Sequence, residues 1–281
     1  MPRAPLARTT VRDALDSAMI ALTAAGCDSP RLDAELLLAD ALGVSRAAIV
    51  ANPEQGIDPA QARRFGEHAR RRREREPVAY ILGRKGFRTI ELVLDGRVLV
   101  PRPETEHLVE AALGLPQGAR VVDVGTGSGA VALALKTERP DLRLVGTDSS
   151  AAALDVARAN VARLALDVEL LEGDLLDPVH GPVDAVVCNP PYVREGDRAS
   201  LAPEILRYEP AEALFAGPDG FDVLRRLAPA AARAGARFAA LEVGAGQAPA
   251  VAELLRGAGF ASVESVRDLA GIERVVVGRR E

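Results

Sequence analysis

Asn189-Pro190-Pro191-Tyr192 is the stretch of this chain whose residue types most directly imply chemistry. It comes directly after Val183-Asp184-Ala185-Val186-Val187-Cys188, an apolar, β-branched run of strand length. A strand that stops at Asn-Pro-Pro-Tyr delivers a side-chain carbonyl acceptor and a flat aromatic face. Between them stand two prolines, which keep their carbonyls but lack N–H donors. That set suits holding a planar NH2 group by its two hydrogens while its nitrogen stays open to attack.

A second constellation precedes it. Asp123-Val124-Gly125-Thr126-Gly127-Ser128-Gly129 joins a predicted strand to a predicted helix. Glycines there let the backbone turn tightly and approach a ligand with no Cβ in the way. Nucleotide-type cofactors bind at such turns, on the carboxyl edge of a sheet. Asp148 ends the next predicted strand, where a carboxylate can accept both hydroxyl hydrogens of a ribose. After the third strand, Glu172-Gly173-Asp174-Leu175 faces the same cleft. Asp174 can bond an adenine amino group and Leu175 can pack on the ring; the competing reading is a polar turn and a core leucine. The spacing Gly-x-Gly-x-Gly departs from the dinucleotide fingerprint, which disfavours a nicotinamide cofactor. No lysine comes after the glycines as in a phosphate loop, which argues against an NTPase.

The elements that must position these groups alternate from Arg120 onward. Strands are predicted at 120–124, 142–147, 168–172, 183–188, 237–243, 260–267 and 273–279. Helices are predicted at 129–138, 150–164, 221–235 and 247–258. The order implies an α/β fold with a mostly parallel sheet covered on both faces. The last two strands are joined by a short link containing Gly271, so they pair antiparallel.

The first third reads as a small helical bundle. Thr10 caps a helix to Ala25 with Val11, Leu15, Met19 and Leu22 on one stripe, closed by Gly26. Ser29-Pro30 supplies an N-cap and first residue for a helix to Leu42, with Gly43 beyond it. Ser45 opens a short helix, and Asp58-Pro59 opens a long one that Pro77 stops. That helix ends in Arg70-Arg71-Arg72-Arg73-Glu74-Arg75-Glu76, read either as a solvated, ion-paired face or as a basic surface for an RNA-bound or acidic partner. Alternation from Phe87 to Leu94, a turn at Asp95-Gly96 and the run Val98 to Val100 predict a connecting β-hairpin. The expected organisation is residues 1–76 as a helical bundle, 77–101 as the hairpin connector and 102–281 as the α/β domain.

Composition limits the function classes. The 281 residues carry a net charge of −5, which gives no global electrostatic case for stable nucleic-acid binding. Cys27 and Cys188 fit neither a disulfide framework nor a zinc pattern, and His68, His107 and His180 are scattered, so no metal site is expected. MPRAPLARTTV lacks the apolar core of a secretory signal and no stretch has the length of a membrane span, so a cytoplasmic location is expected.

Asp-x-Gly-x-Gly-x-Gly, an acid after the second strand and Asn-Pro-Pro-Tyr after the fourth together resemble class I (Rossmann-like) S-adenosylmethionine-dependent methyltransferases acting on planar amino nitrogens. Pro101-Arg102-Pro103-Glu104-Thr105-Glu106, Tyr208-Glu209-Pro210, Leu214-Phe215-Ala216-Gly217, Leu241-Glu242-Val243-Gly244 with Gln247, and Asp268 to Arg274 narrow this. In that order they resemble the HemK/PrmC family of peptide chain release factor glutamine methyltransferases. The resemblance covers residues 77–281 motif by motif and the helical region more loosely.

It implies a seven-stranded sheet with an antiparallel last strand and a protein substrate, the release factor, docked by the helical bundle. It also implies that Gly125, Thr126, Gly127, Ser128, Gly129 and Asp148 bind S-adenosylmethionine, with Asp174, Leu175 and Asn189 beside it. Asn189, Pro190, Pro191 and Tyr192 would grip the substrate glutamine: the Asn189 side-chain oxygen and the Pro190 carbonyl on the amide hydrogens, Tyr192 against the amide plane. Leu175 stands where some relatives carry an aromatic residue. Methylation of an exocyclic amine on DNA or RNA is the alternative, because adenine N6 is also a planar NH2 group. A nicotinamide-dependent oxidoreductase or a non-catalytic nucleotide-binding module is a third reading. Cys188 is expected to be core, Glu104 and Glu106 either pocket acids or first-turn helix acids, and Glu242 a residue that structures the cleft.

Overall fold

The computed structural model describes residues 9–280. The amino-terminal stretch tested for a signal sequence lies, as far as Arg8, outside the described residues. The chain divides into two compact units, one formed by the residues up to Gly83 together with Ala202–Tyr208, the other by Arg84–Leu201 with Glu209–Glu281.

In the first unit the capping residues start the helices. Thr10 and Asp13 form a capping box on α1 (Val11–Ala24), and Asp58 and Gln61 form another on α4 (Pro59–Arg73). Pro30 leads α2 (Pro30–Leu42), but Ser29 makes no side-chain cap, so the fixed φ of proline acts there without the hydroxyl. Ser45 caps α3 (Arg46–Ala51). A short α5 (Val78–Leu82), too brief to show periodicity, is additional to the expected helices. The buried stripe of α1 is Val11, Ala14, Ala18 and Leu22, with Leu15 and Met19 only partly buried at its edge. These faces pack on Leu37, Leu38, Ile49 and Phe65.

The arginine run is in part the solvated, ion-paired face expected, exposed at Arg70 and Arg73, but it is buried at Arg72. Arg70 pairs with Glu67 and Glu74, and Arg71 with Glu76. Arg72 is buried and bonds Asp33 at 2.7 Å and Glu204 at 3.1 Å. Arg75 also holds Glu204 and the Ala25 carbonyl. Glu204 lies on α9 (Pro203–Tyr208), which is how this distant segment becomes part of the helical unit.

In the second unit the hairpin differs from expectation. Its strands are β1 (Arg84–Phe87) and β2 (Ile90–Val93), turning at Arg88, whose φ is 49°. Residues 98–100 form no strand; Val98 and Val100 are buried as core instead. After a 3-10 turn (Pro103–Thr105) and α6 (Glu106–Ala112), the main sheet begins. In chain order it contains β3 (Arg120–Val124), α7 (Ala130–Glu138), β4 (Arg143–Asp148), α8 (Ala151–Leu164), β5 (Val168–Glu172) and β6 (Ala185–Cys188). Next come α10 (Asp222–Arg233), β7 (Phe238–Glu242), α11 (Ala248–Gly257), β8 (Ser262–Arg267) and β9 (Glu273–Arg279).

The seven strands lie in the order β5-β4-β3-β6-β7-β9-β8, and only β9 runs antiparallel to its neighbours. The apolar strands 120–124, 185–188 and 238–242 are buried on both faces, as continuous Val/Ala runs require. The chain leaves β3 towards β4 and β5, then returns to β6 on the other side. The crevice at the carboxyl ends of β3 and β6 is therefore the topological switch point, where open α/β sheets bind ligands. Among the described residues no helix is long and apolar enough to cross a membrane.

Candidate functional site

Strand register alone assembles the site. Val124 pairs with Thr147 and with Cys188, and Cys188 pairs with Leu241. The next residue on each strand is Gly125, Asp148, Asn189 and Glu242, so all four stand in one row at the carboxyl edge. Residue types separated by more than a hundred positions in the sequence are neighbours here because parallel strands in register end together.

Above the row opens a cavity of about 310 Å³, lined by the glycine turn, Asp148, Asp174, Leu175, Asn189, Pro190 and Pro191 among others. Gly125, Gly127 and Gly129 have φ of 68°, 56° and 83°, a left-handed path that L side chains rarely adopt. Gly129 is also the N-cap of α7 and has no side chain to satisfy the first turn. Asp123 does this from β3. One of its oxygens accepts the Ala132 N–H at 3.2 Å and the Thr126 hydroxyl at 2.6 Å, pinning the turn to the helix start. Complete burial, reinforced by nearby Asp148, pushes the Asp123 carboxyl up to about 7. Asp123 opens the motif in the sequence, but its pinning role is a finding of the structure; a carboxylate two residues before a glycine turn was the available signal.

Asp148 takes the Gly127 N–H on one oxygen and the Ser150 N–H on the other, each at 2.9 Å. A carboxylate has about four acceptor positions, so each oxygen keeps one for a ligand hydroxyl. Burial raises its pKa against the pull of those two donors. Thr126 N–H bonds the Thr147 carbonyl at 2.9 Å, and Thr147 Oγ1 bonds the Leu175 carbonyl at 2.8 Å. The three turns are thus laced together. Leu175 sits on the cavity wall with φ of 49°, rare for a branched residue. Asp174 also lines the cavity, but its carboxylate is paired with Arg226.

Asn189 is half-buried, and its Nδ2 donates to Thr105 Oγ1 at 3.2 Å. The NH2 half of the amide is thereby engaged, and Oδ1 is the half available to a substrate. Pro190 and Pro191 line the cavity; Tyr192 does not. Its ring lies against Gly244, where an added Cβ would meet Tyr192 Cδ2 at 3.2 Å, and its carbonyl accepts Gln247 Nε2 at 3.0 Å. Burial, with Glu242 nearby, pushes the phenol up to about 12. Cys188 is buried core, and burial raises its thiol well above the ordinary range. Glu104 and Glu106 fall in the 3-10 turn and at the start of α6, and neither lines the cavity. Thr105, between them, carries no signal in the sequence that singles it out.

Residues 13–83 match the PrmC N-terminal domain family, and residues 104–243 match the methyltransferase small domain family. The release factor glutamine methyltransferase of Deinococcus radiodurans is 42% identical over 275 residues, spanning 96% of this chain and 98% of that protein. The release factor glutamine methyltransferase of Koribacter versatilis is 40% identical over 279 residues, spanning 96% and 99%. Among solved structures, the hMettl16 catalytic domain in complex with the MAT2A 3′UTR hairpin 1 shares the fold, with a TM-score of 0.56 and 17% identity over 72% of this chain and 78% of that one. With relatives this similar along nearly their whole length, the chain belongs to the release factor glutamine methyltransferase family.

Proposed function

We propose that this enzyme transfers a methyl group from S-adenosylmethionine to the side-chain amide nitrogen of the glutamine in the Gly-Gly-Gln loop of peptide chain release factors, in the cytoplasm. The observation that carries the reading is the Asn189 amide, held by Thr105 with its oxygen left to accept, at the end of β6 beside the glycine turn.

The residues present fit the cofactor. Three glycines with left-handed backbone keep Cβ atoms out of the turn, and Asp148 retains two acceptor positions for a ribose diol. Asp148 and Glu212 on the cavity wall suit a cationic ligand, whereas Asp174 is paired with Arg226. In this reading Gly125 to Gly129 and Asp148 hold the cofactor, with Asp174, Leu175 and Asn189 beside it. When bound, S-adenosylmethionine supplies a methyl group made electrophilic by its sulfonium.

Asn189 and Pro190 prepare the nucleophile. An amide nitrogen reacts poorly because its lone pair is delocalised into the carbonyl. Acceptors on both hydrogens, Asn189 Oδ1 and the Pro190 carbonyl, push electron density back onto nitrogen and leave its lone pair facing the cavity. Pro191 and Tyr192 complete the substrate grip. Tyr192 acts from behind the motif, its carbonyl tied to Gln247 so that the two prolines keep their path. Positioning supplies the rest of the acceleration. The helical unit docks the protein substrate; a short Gly-Gly-Gln peptide methylated with the same KM as the intact factor would count against that role.

The decisive experiment offers labelled S-adenosylmethionine with either a release factor or duplex DNA. Label on the Gly-Gly-Gln glutamine supports the proposal, and label confined to nucleic acid overturns it. Asn189→Ala is then expected to slow transfer roughly 100-fold with cofactor affinity within about twofold, the scale of removing one aligned polar group. Parent-like turnover of that variant would remove Asn189 from the mechanism.

A further inference from the structure

Three segments that line the cavity lie far apart in the sequence: Pro101 with Thr105, Asn189 to Pro191, and Pro210 with Glu212 and Ala213. They are tied to one another in pairs. Thr105 Oγ1 accepts from Asn189 Nδ2 at 3.2 Å, which joins the first to the second. Val193, directly after Tyr192, donates its N–H to the Leu214 carbonyl at 2.9 Å and accepts the Ala216 N–H at 3.0 Å, which joins the second to the third. Arg102 closes the ring. Its Nη2 donates to both carboxylate oxygens of Glu209, at 2.7 Å each, and Glu209 directly precedes Pro210.

Arg102 and Glu209 come from two sequence motifs, Pro101 to Glu106 and Tyr208 to Pro210, whose charged residues the transfer chemistry does not use. The Glu209 side chain is 2% exposed and that of Arg102 29%. Taking a carboxylate out of water is costly, and a buried ion pair seldom stabilises a fold more than apolar side chains in its place. Stability therefore does not account for the pair. What a charged hydrogen bond adds is a fixed place and direction. The place matters here, because Glu209 is the residue at which the chain re-enters the second unit after Ala202–Tyr208. Without Arg102, the strap from Glu209 to Ala216 keeps its Val193 end but loses the ion pair that ties it to the Pro101–Thr105 segment.

We propose, on the premise that the cavity holds S-adenosylmethionine, that Arg102 and Glu209 are positioning residues. Their ion pair closes the ring of ties, seats Pro210, Glu212 and Ala213 against the cofactor, and braces the segment whose Thr105 holds Asn189. Neither residue lines the cavity, so both act through its wall. A strap seated only a tenth of the time would raise the apparent cofactor Kd about tenfold, because only the seated form binds.

The test compares the parent with the double variant Arg102→Ala, Glu209→Ala, which removes the pair without stranding either charge, and with Arg102→Lys and Glu209→Gln. Kd for S-adenosylhomocysteine is measured by calorimetry, ligand-free amide exchange by mass spectrometry, and initial rates with release factor. The double variant is expected to raise Kd about tenfold and to speed exchange in peptides covering residues 210–216 about tenfold, with β3 and β6 unchanged. Its kcat at saturating cofactor is expected to fall only about threefold, because the lost interaction acts mainly on binding. Arg102→Lys keeps a cation opposite Glu209 and is expected to bind within about threefold of the parent. Parent-like Kd and exchange in the double variant overturn the proposal. So does exchange that rises equally in β3 and β6, which would show a merely structural pair, and so does a lysine variant as weak as the double. If the double variant does not fold, Glu209→Gln decides. It keeps the size and loses the charge, so Kd and strap exchange are expected to rise about threefold, and parent values overturn the proposal. A parent that binds no S-adenosylhomocysteine, or methylates no release factor, fails those assignments instead, and the ligand-free exchange comparison still decides the ring.

Discussion

Replacing Asp148 by asparagine changes one oxygen of a carboxylate to NH2 and removes one charge, with almost no change in shape. In the parent, the two oxygens accept the Gly127 and Ser150 N–H groups at 2.9 Å each. An asparagine can satisfy only one of those donors, and its NH2 must then face the other. If its oxygen stays on Ser150, the Gly127 N–H loses its partner and the glycine turn loosens. If it turns to Gly127, the start of α8 is left unsatisfied. In either case one of the two acceptor positions left for a ribose hydroxyl becomes a donor. Loss of a single hydrogen bond to a charged group is worth about 1.5–3 kcal/mol. That corresponds to roughly 10- to 150-fold weaker binding of S-adenosylhomocysteine. The ligand-free protein is expected to melt close to the parent, because burial already penalises the Asp148 charge and its removal offsets the lost bond. Titration calorimetry gives the affinity and a ligand-free thermal scan gives the control. A Kd within twofold of the parent would refute the assignment of Asp148 to the ribose. So would a melting temperature that falls enough to account for the lost binding.

Two further outcomes concern stability. Glu204→Ala leaves Arg72 buried with Asp33 as its remaining carboxylate, so unfolding is expected to become easier by about 3 kcal/mol, the low end for breaking a buried pair. Urea denaturation monitored in the helical unit checks it, and an unchanged midpoint would mean that Glu204 adds nothing to the Arg72 site. Asp123 and Glu242, both pushed up to about 7 mainly by burial, hold protons in the folded state that the unfolded chain gives up near pH 4. Their contribution to stability is therefore largest below about pH 4, declines as pH rises towards 7 and levels off above it. Melting temperature across that window is expected to fall less steeply in an Asp123→Asn, Glu242→Gln double variant than in the parent; identical slopes would place the pH dependence elsewhere.

Most strands and helices of the sheet are legible in the sequence because they are apolar runs or stripes bounded by glycine, proline or a capping residue; β8, with Ser262, Glu264 and Ser265, is the polar exception. The hairpin is not legible, because Asp95-Gly96 is a good turn dipeptide, and Asp95 does make a tight turn by accepting the Arg97 N–H at 3.0 Å. Beyond that turn Val98 and Val100 are drawn into the core rather than onto a strand, which a local pattern does not reveal. α5 and α9, of 5 and 6 residues, are too short for a period to register. The chemistry of Gly125, Asp148 and Asn189 is readable from type and place. Their common row is not, because register is a property of pairing between distant strands. Nor is the partner of Asn189, since Thr105 approaches from 84 positions earlier.

Asp148 and Glu242 occupy equivalent places, each the acid that ends a parallel strand in the same row, and the turns beyond β4 and β7 make them different. After β4 the chain turns directly into α8, and the Ser150 N–H reaches back to Asp148 while the glycine turn supplies a second donor from the side. After β7 the first two backbone donors are already engaged. The Val243 N–H bonds the Arg274 carbonyl, and the Gly244 N–H is taken by the side chain of Gln247, whose other end holds Tyr192. Glu242 Oε2 is left without a hydrogen-bond partner. The interactions that lock the backbone behind Asn-Pro-Pro-Tyr are thus the same ones that leave Glu242 short of donors. A buried carboxyl short of donors is costly in its charged form, and burial accordingly pushes Glu242 up to about 7 while Asp148, with two N–H donors, remains the acceptor of the row.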